Sequence, residues 1–243
     1  MTAARRARLA PVVLCAAGDV VVVDKPSGML CGFSGQDGPG VLSLLDTPDA
    51  ATLRPVTRLD PQTSGATLYA RSAEAERALT GQLRDGTAWV VYHALVSGHS
   101  EDTGEIELLV GHDKRTGLTR VDPRHGKPAC TRYVTLQRVA GASLLECRTQ
   151  PERPNPLRAH LSAVGLPLLV DPPYGGGTGV LLSMFKPGYR PSRRRDERPL
   201  LERLSLHAAR VELDSPADGR RVELDAPMPK DLRAVLAQLG RLL

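Results

Sequence analysis

The chain has 243 residues, 41% of them hydrophobic and 24% charged, with 23 glycines and 20 prolines. This is the composition of a soluble globular protein, rich in loops and poor in aromatics, and the length suits one large domain or two small ones. The longest apolar run, Val12–Ala17, falls far below the roughly 20 residues of a membrane helix, and it is too short after Arg5, Arg6 and Arg8 to form a secretory leader.

The four cysteines (Cys15, Cys31, Cys130 and Cys147) include no C-x-x-C pair. They read as reduced packing residues of a cytoplasmic protein, not as a zinc site or a disulfide framework. The formal net charge of +5 is a mild bias toward a polyanionic partner. Six arginines crowd the segment from Arg190 to Arg203, against Asp196, Glu197 and Glu202, among Pro187, Gly188, Pro191 and Pro199. Such a loop either tracks phosphates or is solvated and binds nothing.

Residues 1–18 are expected to form a basic N-terminal arm, frayed over its first ten. The β-branched run Val20–Asp24, stopped by Lys25-Pro26-Ser27-Gly28, reads as a strand entering a turn. A loop over 32–40 and a short apolar segment over 41–45 follow, then a strand over Ala66–Arg71. Ala73–Arg84 reads as a helix capped by Ser72, with Glu74 and Glu76 in its first turn and Arg84 near its end. Strands are expected over Ala88–Val96, Ile106–Val110, Thr131–Val139 and Ser143–Arg148, and a helix over Pro156–Val164. A short apolar stretch at Leu168–Val170 runs into the Pro172–Gly177 turn. Two strands, Ser205–Leu213 and Arg220–Asp225, flank a turn at 216–219, and a final helix covers 230–242. Strands outnumber helices and do not alternate with them. The expected class is α+β: a mixed, mainly antiparallel sheet with a few helices and long loops. No repeat and no linker appears, so residues 19–243 are expected to be one catalytic domain.

No G-x-x-x-x-G-K-[ST], G-x-G-x-x-G, G-x-S-x-G or H-E-x-x-H motif occurs, which removes the usual support for nucleotide binding, serine hydrolysis and zinc proteolysis. His160 on a helix and His207 in a strand read as packed, hydrogen-bonded side chains. In Arg54–Gly65, Arg58 and Asp60 flank a leucine in a loop before a strand. There Asp60 either reaches a ligand from a rigid scaffold or closes an Asx-turn beside Pro61. In Glu146–Leu161, Arg158 lies near the start of a helix, where the dipole disfavours a cation. It therefore needs an anionic partner, either a carboxylate from elsewhere or a ligand phosphate.

These segments resemble the RluA-type RNA pseudouridine synthases. Thr57-Arg58-Leu59-Asp60 with Thr63-Ser64-Gly65 is similar to H-R-L-D-x-x-T-S-G, and Val22–Gly28 to the opening V-x-N-K-P-x-G turn. Tyr92–Val96 is similar to K-x-Y-x-A-L-V, and Arg153–Leu161 aligns with G-R-T-H-Q-I-R-x-H-L. Gly165-x-Pro167, Asp171-Pro172-x-Tyr174-Gly175-Gly176, Leu206-His207-Ala208 and Ala226-Pro227-x-Pro229 follow in the family's order.

The resemblance implies a pseudouridine synthase fold and an isomerase acting on ribosomal or transfer RNA, without metal, nucleotide or redox cofactor. A monomer is the default expectation, and the 18 residues before the first expected strand are too few for the S4-type domain that some relatives carry. Asp60 is then the nucleophile, Arg158 its ionic partner, and Tyr92 the residue that stacks on the base and serves as general base. Leu157 gives the apolar wall of the base pocket, and Arg58 helps displace the flipped nucleotide. Arg153, Asn155, Arg193, Arg194 and Arg195 become candidate RNA contacts. Thr57, Val90, Asp24, Pro154, Asn155 and Pro156 depart from the family pattern. The changes around 153–158 motivate a second reading, a catalytically weakened RNA-binding or RNA-folding factor on the same scaffold. A third reading is a glycosidase-like hydrolase using Asp60 with Glu152, which would need two carboxyls about 5–10 Å apart.

Overall fold

The computed structural model describes residues 10–149, 156–189 and 196–243. They separate into two compact units. The first comprises the chain up to Val91 with His207–Pro227; the second comprises Tyr92–Thr149, residues 156–206 and Met228–Leu243.

In the first unit, β1 (Val12–Ala17) and β2 (Val20–Lys25) form an antiparallel hairpin about Gly18, whose φ of +54° suits a residue without a β-carbon. The expected basic arm is thus corrected over its last third. The apolar run Val12–Ala17 has the composition and the turn to pair with β2, whatever the arginines before it. Along its whole length β2 runs antiparallel to β4 (Ser64–Ala70), from Val20 opposite Ala70 to Lys25 opposite Gly65. Every residue of β4 is buried, which explains its run of apolar and small polar residues without alternation.

The other edge of β4 is shared. Its start lies parallel to β10 (Leu206–Asp214), with His207 opposite Ser64 and Ala208 opposite Gly65. Its end pairs antiparallel with the two-residue β3 (Arg54–Pro55). Strand β11 (Arg221–Asp225) closes a hairpin with β10. The core here is built from Val21, Val23, Met29, Val41, Leu42, Leu53 and Tyr69, with the single helical turn α1 (Val41–Leu44) beside them. Helix α2 (Ala73–Asp85) has its first turn capped by the Ser72 hydroxyl, which accepts from the Ala75 N–H at 3.1 Å. It ends at Gly86 in the left-handed region. It buries Ala75, Leu79 and Leu83, four residues apart on one face.

The second unit arranges β5 (Trp89–Ser97), β9 (Ala142–Thr149), β8 (Lys127–Val139), β6 (Thr103–Asp113) and β7 (Leu118–Val121) in that spatial order. The β9–β8, β8–β6 and β6–β7 pairs are antiparallel. Strand β7 and the far half of β6 form a hairpin that was not expected: four residues with two charged or polar side chains carry too little period-2 signal. Helix α3 (Pro156–Ala163) starts on a proline and buries Leu157, Ala159, His160 and Leu161. Helix α4 (Lys230–Gly240) buries Leu232, Val235, Leu236 and Leu239, a 3.6-residue stripe, against Val139, Ala142 and Leu144. The expected α+β class, a mixed and mainly antiparallel sheet with few helices, is the class observed.

Candidate active site

The segment between β3 and β4 carries Arg58, Leu59 and Asp60. The backbone N–H groups of Val56 and Thr57 donate to the Leu68 carbonyl, and the Thr57 hydroxyl accepts from the Leu68 N–H at 2.9 Å. A small hydroxyl-bearing residue therefore fits this buried position, where the family pattern has histidine. Leu59 turns inward: its N–H donates to Cys31 Sγ at 3.3 Å, and the Cys31 thiol donates back to its carbonyl. Arg58 on one side is exposed, and Asp60 on the other is half-buried. The Asp60 carbonyl accepts from the Thr63 N–H at 3.0 Å, closing a turn through Pro61 and Gln62.

That turn is clamped by the segment after β2. The Pro61 carbonyl accepts from the N–H groups of Gly28 and Met29 at 2.7 and 3.2 Å, and from Lys25 Nζ at 3.0 Å. Lys25 is fully buried and also donates to the carbonyls of Met29 and Pro26 at 2.8 and 3.3 Å. Three carbonyl acceptors fill the three donors of an ammonium. The Ser27 hydroxyl adds a bond to the Gln62 carbonyl at 2.7 Å. The expected Lys25-Pro26-Ser27-Gly28 turn is thus the buttress of the Asp60 loop. Beside it, burial pushes the Asp24 carboxyl up to about 6, opposed by the Lys25 charge.

Downstream, the loop is fixed where β4 meets β10. Gly65 adopts φ +112°, and a β-carbon there would lie 2.1 Å from the Ala208 carbonyl oxygen. Buried His207 links Ser64 Oγ to the Ala226 carbonyl, at 3.0 and 3.2 Å. Since a carbonyl can only accept, Nε2 carries the proton and Nδ1 accepts from Ser64. His160 is likewise buried, with Nδ1 2.9 Å from the Thr131 hydroxyl, and burial holds its pKa below the usual imidazole value. Both histidines are packed residues, as expected.

In the second unit, Leu157 lies in an apolar cluster with Ala94, Val96, Cys147, Leu161 and Leu168, and Tyr92 packs against the same cluster. Arg158 follows Leu157 on α3. Its Nε and Nη2 donate to Oδ2 and Oδ1 of Asp171 at 2.8 and 2.5 Å, and its guanidinium carbon stands 4.4 Å from the centre of the Tyr174 ring. Asp171 is thus a carboxylate partner of the kind Arg158 was expected to need. The sequence signals that an anion is required but not which one. Asp60 belongs to the first unit and Arg158 to the second.

Arg153, Asn155, Arg193, Arg194 and Arg195 lie outside the described residues. Arg203, from the same arginine-rich segment, is nearly buried and paired through Nε and Nη2 with Asp231 at 2.7 and 2.8 Å, so its role is structural. Among the described residues, Glu105, Glu107 and Cys130 bring potential ligand atoms within 4.8 Å of one another. Glu105 there already accepts from Arg132 at 2.8 Å and from the Cys130 thiol at 3.3 Å. A cavity of about 360 Å³ beside Gly18, Asp19, Glu74 and Ala75 contains none of the expected site residues. No helix among the described residues is long and apolar enough to cross a membrane.

Residues 19–163, more than half of the chain, match the family model described as RNA pseudouridylate synthase. An uncharacterized RNA pseudouridine synthase of Chloroflexus aurantiacus is 36% identical over 89% of this chain and 65% of its own length. One of Bacillus subtilis is 31% identical over 92% of this chain and 71% of its own. The ribosomal large subunit pseudouridine synthase D of Neisseria meningitidis serogroup B is 30% identical over 90% and 59% respectively. The chain therefore spans about three fifths to seven tenths of the lengths of these relatives. In fold it is similar to human RNA pseudouridylate synthase domain containing 1, with a TM-score of 0.67 and 24% identity over 91% of this chain and 84% of that one.

Proposed function

The chain belongs to the RNA pseudouridylate synthase family, and on that premise we propose that it isomerises one or more uridines of ribosomal or transfer RNA to pseudouridine. Large-subunit ribosomal RNA is the first substrate to test, since relatives named for it are about 30% identical. In this reaction the C1′–N1 bond of uridine breaks and a C1′–C5 bond forms. The proton on C5 passes to solvent, and N1 gains one. No electrons are exchanged with a partner, so the residues need supply only a nucleophile, proton transfer and binding.

The observation that carries this reading is the Asp60 turn: a half-buried carboxylate on a loop pinned by Lys25, Gly28 and Met29 through Pro61 and by inward-facing Leu59. A carboxylate so mounted can add to an electrophilic carbon and later leave. In the proposed mechanism Asp60 attacks, with Arg158 as its ionic partner. Tyr92 stacks on the extruded base and, as general base, takes a proton from the sugar and returns it when C1′ bonds to C5. Leu157 forms the apolar wall, and Arg58 helps hold the nucleotide out of its stack. Arg153, Asn155 and Arg193–Arg195 contact RNA phosphates. Residues 19–243 act as one catalytic domain, as a monomer in the cytoplasm.

The test is a site-resolved pseudouridine map of stable RNA from cells with and without the gene. Loss of one or a few modified positions supports the reading. Identical maps in ribosomal and transfer RNA contradict it.

A further inference from the structure

Arg158 is gripped from two sides within its own unit. Asp171, 1% exposed, takes Nε and Nη2 fork to fork, while the guanidinium carbon stands over the Tyr174 ring, 4.4 Å from its centre. A fork-to-fork contact fixes both the plane of the guanidinium and the direction of Nη1, which a point charge such as lysine cannot do. Stability is a weak reason for such an arrangement, because apolar side chains of the same volume often serve a core as well as a buried ion pair does.

The backbone around the grip is equally specified. The Asp171 N–H donates to the Gly177 carbonyl at 3.2 Å, and the Asp171 carbonyl accepts from the N–H groups of Tyr174 and Gly176 at 3.0 and 2.9 Å. A β-carbon at Gly176 would lie 2.2 Å from the Leu168 carbonyl oxygen and 2.6 Å from the Asp171 nitrogen, so only glycine closes this turn. The Tyr174 hydroxyl accepts from the Thr119 N–H at 3.0 Å, anchoring the ring to β7. The unexpected β6–β7 hairpin thus acquires a task.

We propose that Asp171 and Tyr174 are positioning residues: together they aim Arg158 and offset its charge, so that the arginine presents a fixed edge to the reacting nucleotide. This rests on the reading of the chain as a uridine isomerase. It adds to that reading two side chains that act on the rate through Arg158.

The test uses the full chain and RNA tritiated at uridine C5, prepared from cells lacking the gene. Tritium release in a single turnover gives the rate, and filter retention gives RNA affinity. Asp171→Asn is expected to slow release about 100-fold, the effect of a displacement near 1 Å at a reacting group, and to leave RNA affinity unchanged. Asp171→Glu, which restores the charge, is expected to recover part of that loss. Tyr174→Leu slows release less, and its effect combines with that of Asp171→Asn to less than their product, because both act through one guanidinium.

An Asp171→Asn protein with the wild-type rate, or one whose loss lies wholly in RNA binding, overturns the proposal. If Asp171→Asn does not fold by urea titration, Asp171→Glu and Tyr174→Leu decide in the same assay: wild-type rates in both overturn it. Failure of the unmutated protein to release tritium is a different result. It removes the isomerase reading itself, and the positioning role with it.

Discussion

Ser64 and His207 are hydrogen-bonded at 3.0 Å across 143 positions of sequence, at the point where β4 and β10 run parallel. The bond joins the residue four places after Asp60 to the strand that supports the loop from the side. Ser64→Ala leaves Nδ1 of a fully buried imidazole as an acceptor with this donor removed. The expected cost is about 1–3 kcal/mol, read as a lower midpoint with unchanged slope in urea unfolding.

Gly65→Ala is expected to be worse. The left-handed φ of +112° strains any other residue, and the new methyl would sit 2.1 Å from a backbone oxygen that cannot move without breaking the β4–β10 pairing. A loss of about 3 kcal/mol or more follows from overpacking plus backbone strain, visible as a large fall in melting temperature or as insoluble protein.

Lys25→Met removes a buried donor from three carbonyls, one of which belongs to Pro61 beside Asp60. Two backbone N–H groups still reach Pro61, so the loop is expected to keep its path but lose its rigidity. The predicted outcome is a stability loss of about 1.5–3 kcal/mol, with a rate of pseudouridine formation that falls further than RNA affinity does.

Asp24 gives the protein a pH signature. Its carboxyl is pushed from 3.8 up to about 6 by burial, so the native state binds its proton more tightly than the unfolded chain does. The stability from this group is therefore whole below about pH 4 and is lost as pH rises through 6. Asp24→Asn, isosteric and always neutral, is expected to match the wild type near pH 4 and to melt roughly 2–4 °C higher at pH 8, the shift given by about 1 kcal/mol at this size. A pH-independent difference would contradict the assignment.

The sequence was most legible where local chemistry and tertiary demand agree. Ser72, Glu74 and Gly86 bracket α2 as caps and dipole partners do, and the valines of β2 could hardly be anything but a buried strand. Strand β1 was hidden by the arginines before it, and β7 by its brevity. Around the site, the sequence presented Asp60 and Arg158 as unusual residues but not their supports, because those supports are long-range. Lys25 reaches Pro61 across 36 positions. Asp171, only 13 residues beyond Arg158, is brought back to it by the turn after α3, which no periodicity signals. Asp171 and Tyr174 stand in the sequence as members of a spaced motif, and in the structure both contact Arg158.

The central claim is that the Asp60 carboxylate does the chemistry, and the most direct measurement is single-turnover pseudouridine formation by purified Asp60→Asn protein on RNA from cells lacking the gene. Asparagine keeps the shape of the turn and cannot act as the nucleophile, so the account predicts undiminished RNA binding with no detectable product. Pseudouridine formed by that variant at the wild-type rate would contradict it.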